Sequence, residues 1–211
     1  MSADLLRLTQ WLSPAFPTGA FAYSQGLEWA LGPGGVGDAA GVEAWLTRLL
    51  RHGAGWQDAV LLSLALESGE DAARLGDLAQ ALAPSAGRWR ETMDQGRAFG
   101  LTLASMGRVA GPGLPLPVAV GLAARGLDLP KTLILAQYLN SWATNLVTIA
   151  VRAVPLGQSE GQRVLQALQP VMLEVAGRAA TATEDDLGTS AFGADLAGML
   201  QESMDVRIYR T

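Results

Sequence analysis

The chain has 211 residues, of which 49% are hydrophobic and 17% charged, and its formal net charge is −5. That balance fits one globular domain, 1–211, burying about 70% of its unfolded surface, and it excludes a disordered polypeptide. Lys131 is the one lysine among 15 basic residues, no basic cluster forms, and cysteine is absent. Nucleic acid is therefore not an expected partner, and thiolate nucleophiles, disulfides and cysteine metal sites are ruled out.

Residues 1–12 carry Asp4 and Arg7 and lack the apolar core of a signal peptide. The uncharged run 109–124 is short and broken by Pro and Gly, whereas a membrane span needs about 20 apolar residues. A cytoplasmic protein without a membrane partner is expected.

In chain order, residues 4–12 read as a short amphipathic helix stopped by Ser13-Pro14. Pro14, Pro17 and Gly19 then make a loop that carries Phe16, Phe21 and Tyr23. Aromatics on such a loop serve either as a contact surface or as a plug for the core of their own subunit. Helix resumes over 25–31. Asp38 caps a helix with Val42, Trp45, Leu46, Leu49 and Leu50 on one stripe, ended by Gly53 and Gly55.

Helices over 57–67 and 71–83 follow. Ser85 starts another, in which Trp89, Met93, Gly96, Gly100 and Leu103 form a stripe whose glycines admit a neighbouring backbone. Residues 111–117 are a linker and 118–125 a short helix.

The stretch 128–162 organises the chain. No charge occurs between Thr132 and Val151. Gln137, Asn140, Ser141, Thr144, Asn145 and Thr148 share roughly 140° of helical arc, opposite Leu135, Leu139, Trp142, Leu146 and Ile149. Asp128 and Pro130 start this helix, and Pro155 ends it by disfavouring helix at Val154. Its polar stripe either lines a wet passage or bonds across to other helices. Ser159 with Gln162 reads as a capping box for the next helix, which Pro170 should kink or restart. Helix over 191–204 is weak, and no segment alternates like a half-buried strand. The fold class is all-α, a helical bundle of about ten helices.

Catalytic signals are sparse. Gly157-Gln158-Ser159-Glu160-Gly161 matches the G-x-S-x-G elbow of hydrolases, but no strand precedes it and the one histidine, His52, lies upstream. His52 alone is a poor metal site, and Glu184-Asp185-Asp186 lacks the spacing of a calcium loop. No cofactor and no catalytic residue are expected.

Three blocks stand out: Ser13-Pro14-Ala15-Phe16-Pro17-Thr18-Gly19-Ala20-Phe21-Ala22-Tyr23-Ser24-Gln25-Gly26-Leu27-Glu28, then Arg152-Ala153-Val154-Pro155-Leu156-Gly157-Gln158 with Gly161-Gln162-Arg163, and the closing Arg207-Ile208-Tyr209-Arg210-Thr211. Together they resemble the urease accessory protein F (UreF) family. The resemblance implies an all-α homodimer without enzymatic activity. It also implies an adaptor or chaperone that couples UreD (also called UreH) and the GTPase UreG on apo-urease for nickel insertion.

By the same resemblance, a tail near 205–211 binds UreD through Arg207, Tyr209 and Arg210. Phe21, Tyr23 and Glu28 are placed near the GTPase or the dimer seam, and Arg152 and Gln158 match the central signature. Leu200, Gln201 and Asp205 depart from the family pattern, which carries a basic residue, a histidine and an aromatic there.

Two rival readings stand beside it. One is regulation of the UreG cycle by an arginine, with Arg152, Arg178, Arg207 and Arg210 as candidates. The other is an unrelated helical binder of a small ligand, which requires an enclosed pocket with convergent polar groups.

Overall fold

The computed structural model describes residues 3–32, 35–67, 72–108, 113–154 and 156–211. The helices are α1 (Ala3–Trp11), α2 (Leu27–Leu31), α3 (Ala39–His52), α4 (Ala54–Glu67) and α5 (Ala72–Ala81). They continue as α6 (Ala86–Ser105), α7 (Leu116–Ala124), α8 (Lys131–Ala153), α9 (Gln158–Ala179) and α10 (Phe192–Glu202). Single 3₁₀ turns occupy Ala20–Ala22 and Glu184–Asp186, and the described residues contain no strand. The protein is all-α.

Helix α8 is the axis of the bundle. It packs against α1, α2, α3, α4, α9 and the 3₁₀ turn at Ala20–Ala22. Its apolar side explains this position: Leu135, Leu139 and Leu146 are fully buried and Trp142 and Ile149 nearly so. Each such side chain contributes about 1.5–3 kcal/mol through removal from water. Extended backbone at Val154 ends the helix; Pro155, expected to cause this, lies outside the described residues. Gly161 then lets α9 fold back closely, since a Cβ there would meet Val151 at 2.5 Å.

Caps decide several other boundaries. Asp38 accepts the Gly41 N–H at 2.8 Å and Ser85 accepts that of Arg88 at 3.1 Å, so α3 and α6 start where capping residues stand. Gly53 alone separates α3 from α4. Gly55 does not end a helix but lies inside α4, buried, with Leu50 main chain 2.9 Å from where a Cβ would be.

The capping box at Ser159 is not formed. The cap lies two residues earlier, at Gly157, whose N–H donates to Glu160 at 3.1 Å. Nor does Pro170 restart the helix, which runs unbroken to Ala179. Pro170 and Gln166, the residue one turn before it, are both exposed, so the carbonyl freed by the missing N–H faces solvent.

Among the described residues, no helix is long and apolar enough to cross a membrane.

Candidate partner-binding site

The N-terminal loop is tied to α8 at two points one helical turn apart. Ser141 Oγ donates to the Leu12 carbonyl at 2.6 Å, and Asn145 Nδ2 donates to that of Ala20 at 3.0 Å. Between these ties Pro14 and Pro17 supply no N–H for further bonds. A groove of about 640 Å³ lies beneath the loop. Ser141, Thr144, Asn145 and Thr148 form its polar wall, Phe16 and Phe99 an apolar one, and Phe21 and Arg152 also line it. The polar stripe thus borders the groove and bonds across in part. Two members bond across to the loop, while Thr144 and Thr148 donate to carbonyls of their own helix.

Beyond the groove the chain reverses sharply. Gln25 adopts φ +53° and Gly26 φ +78°, the left-handed region that non-glycine residues enter at a cost of about 1–2 kcal/mol. Gly26 is required twice over. A Cβ would also lie 2.7 Å from the Gly198 nitrogen, so only glycine lets α2 cross α10 here.

This crossing places Ser24 and Glu28 against the closing segment 205–211. Glu28 accepts the Ile208 N–H at 2.7 Å with one oxygen and the Tyr209 N–H at 3.0 Å with the other. Gln201 donates to Glu28 at 3.1 Å and accepts from Ser24 Oγ at 3.0 Å. Main-chain bonds complete the seat: Arg210 N to the Ala22 carbonyl at 2.8 Å, and Ser24 N to that of Thr211 at 2.6 Å. The Arg210 guanidinium stands 5.9 Å from the Tyr23 ring centroid, near enough for a cation–π contact.

Beneath the seat lies a buried polar junction. One guanidinium nitrogen of Arg88 on α6 donates to both oxygens of Asp58 on α4, at 2.8 and 2.7 Å. Tyr138 of α8 donates to Asp58 at 2.9 Å. Glu91, one turn along α6, lies 3.6 Å from Arg88 and accepts from Gln25 at 2.8 Å, Gln95 at 3.0 Å and the Thr211 hydroxyl at 3.2 Å. Burial pushes both carboxyls above their usual range, and Arg88 draws them only partly back. Burial also disfavours the Arg88 charge, yet Asp58 and Glu91 outweigh it and hold its affinity for protons above normal.

The sequence-derived site residues divide by exposure. Phe21, 67% exposed, Arg152, Gln158, Arg207 and Arg210 face solvent. Tyr23 and Tyr209 point inward, at 2% and 7% exposed, Tyr23 donating to Asp94 at 2.8 Å; Glu28 is half-buried under the tail. Thus Tyr23, Glu28, Tyr209 and Arg210 meet around one seat, and Phe21 lines the groove. Arg152 stands on the groove, and Gln158 opens α9.

Sequence reasoning missed Asp58, Arg88, Glu91 and Gln95. A signal existed: Glu91, Gln95, Phe99 and Leu103 recur every four residues, which puts two polar residues on an apolar face. It also missed exposed apolar side chains, Phe192, Leu196 and Met199 in a row on α10, and Val206 and Ile208 in the tail. Gln201, one of the departures from the family pattern, is fully buried as the link between Ser24 and Glu28.

The other candidates have ordinary structural roles. Asp186 accepts the Thr183 N–H at 2.8 Å and so caps its own 3₁₀ turn, and Glu184 pairs with Arg74. Ser159 is exposed in the first turn of α9, and His52 is an exposed end residue of α3. No group of three or more His, Cys, Asp or Glu among the described residues converges on a metal position. Of the arginine candidates, Arg178 is engaged by Glu174 at 3.6 Å and by the Trp56 ring at 4.6 Å.

Comparison with known proteins adds an independent line. The family model for UreF matches residues 36–169. The chain is 54% identical to a urease accessory protein UreF of Cereibacter sphaeroides, over all of both chains. It is 51% identical to that of a Jannaschia species, over all of this chain and 96% of the relative. For Rhodopseudomonas palustris the identity is 43%, over all of this chain and 94% of the relative.

Proposed function

Since this chain belongs to the UreF family of urease accessory proteins, we propose that it is a non-catalytic adaptor for urease maturation in the cytoplasm. In this reading it works as a homodimer. It couples UreD/UreH and the GTPase UreG on apo-urease so that nickel, as cargo, is inserted there. The observation that carries the reading is the joining of the N-terminal loop and the closing segment into one surface through Glu28 and Ser24.

That surface has the composition of a docking site. Val206 and Ile208, each 80% exposed, flank the exposed Arg207 in the chain. Apolar anchors next to an arginine are enriched at interfaces. UreD/UreH is assigned to this face, and the loop around Phe21 to UreG or the dimer seam.

Co-purification with the UreD/UreH homologue tests the assignment, comparing the full chain with one ending at Met204. The complex is expected with the full chain alone. Equal recovery with both chains would overturn the tail assignment.

A second reading, passage of nickel along the groove, is favoured by the hydroxyl and amide groups of α8 that line it together with Glu91 and Arg152. Thr144→Leu and Thr148→Leu are then expected to lower nickel loading of urease without altering the helical spectrum. Unchanged loading rejects the route.

A further inference from the structure

The junction holds two carboxylates, Asp58 and Glu91, against one guanidinium, and all three side chains are at most 12% exposed. A buried excess of one negative charge is costly unless a proton or further donors offset it. Asp58 has the better share of Arg88, with two short bonds and the Tyr138 hydroxyl as well. Glu91 has only the distant edge of Arg88, and depends on the Gln25 and Gln95 amides and the Thr211 hydroxyl. It is the member of the junction whose partners come from the two segments that meet at the surface.

We propose that Glu91 is a positioning residue that makes seating of the closing segment depend on protonation, with the proton bound at its carboxyl when residues 208–211 are docked. Thr211, itself 5% exposed, contacts the carboxyl directly, and Glu91 also borders the groove beneath the loop. Lifting the segment admits water to Glu91 and restores the solvation that stabilises its charge. The seated state therefore holds the proton more tightly than the lifted one.

The contribution of Glu91 to seating is fully present below the ordinary glutamate value of 4.5 and is lost as pH rises through the raised value of the buried group. The charged and titratable groups that face Glu91 are Arg88 on its own helix, Asp58 from α4 and Tyr138 from α8. From α10, Glu202 is engaged with the Gly87 N–H at 2.6 Å. At this point the loop contributes the Gln25 amide and the segment the Thr211 hydroxyl, with the main-chain oxygen of Thr211 held by Ser24. This coupling belongs to the chain alone and does not depend on which partner takes the segment.

Trypsin cleavage of the Arg207–Ile208 bond in the full chain reads the lifted population, because cleavage of a transiently open site follows its equilibrium. A free peptide of residues 204–211 supplies the protease's own pH profile. The ratio of chain to peptide is expected to rise with pH, by up to about tenfold per unit. E91Q, which mimics the protonated group, is expected to hold the ratio flat, while cleavage after the exposed Arg163 stays constant relative to its own peptide. A flat ratio in the unaltered chain would overturn the proposal, as would an Arg163 cut that accelerates in step. An E91Q chain that folds and keeps the slope would also overturn it. Should E91Q fail to fold, the ratio in the unaltered chain still decides.

Discussion

Two polar networks brace this bundle, and they differ in almost every physical respect. The junction of Asp58, Arg88, Glu91 and Tyr138 is buried and ties three helices to the loop and the closing segment. The second joins α3, α4 and α9 at the surface. There Arg51 pairs with Glu174 at 2.5 Å, Arg178 covers Trp56, and the Trp56 N–H donates to the Asp186 carbonyl at 2.9 Å. Arg51 and Glu174 stay about 40% exposed, against 12% and 7% for Arg88 and Asp58. Water screens the surface pair and can replace either partner. In the junction no replacement exists, so geometry there is fixed and errors are expensive. The proposed docking surface is built above the rigid network.

The sharpest way to break this contrast is Arg88→Met. Asp58 then remains buried without its cation, and about 3–5 kcal/mol of stability is expected to be lost in urea unfolding. A loss no larger than that of an ordinary surface substitution would erase the distinction. Next comes Glu28→Ala, which removes the acceptor of two main-chain N–H groups, each bond to a charged group contributing about 1.5–3 kcal/mol. Its effect is expected to be local: faster trypsin cleavage at Arg207–Ile208, with a nearly unchanged melting temperature.

Ser141→Ala cuts one tie of the loop to α8 and is expected to cost about 0.5–1.5 kcal/mol. The smallest effect belongs to Glu174→Gln at the surface. The Arg51 hydrogen bond holds the Glu174 carboxyl below its ordinary value of 4.5. Its contribution is therefore present above that value and lost as pH falls through the lowered one. The variant should melt slightly below the parent at pH 7, and the gap should close in acid.

Much of the fold was legible because its causes are local. Asp38 and Ser85 announce helix starts through their side-chain oxygens, and the one-sided apolar pattern of α8 marks it as the central helix. Gly96 on the α6 stripe reads correctly as a close approach, with the main chain of residues 114–116 lying where a side chain would be. Failures came where tertiary contacts prevailed. Gly55 reads as a helix stop, yet it sits within α4 against Leu50.

Site legibility followed the same rule. The loop and tail could be picked out as blocks, but nothing local in either one says that Glu28 holds the main chain of residues 208 and 209. Glu91 reads as a surface glutamate until its partners, 66 and 120 residues away, are brought beside it.

The central claim is that loop and tail act as one surface held by Glu28, and the most direct measurement is calorimetric titration of the UreD/UreH homologue into the full chain, Glu28→Ala and Glu174→Gln. Binding to Glu28→Ala is expected to weaken by at least about tenfold, the equivalent of one hydrogen bond to a charged group, while Glu174→Gln binds as the parent does. Equal affinity for all three chains would contradict the account.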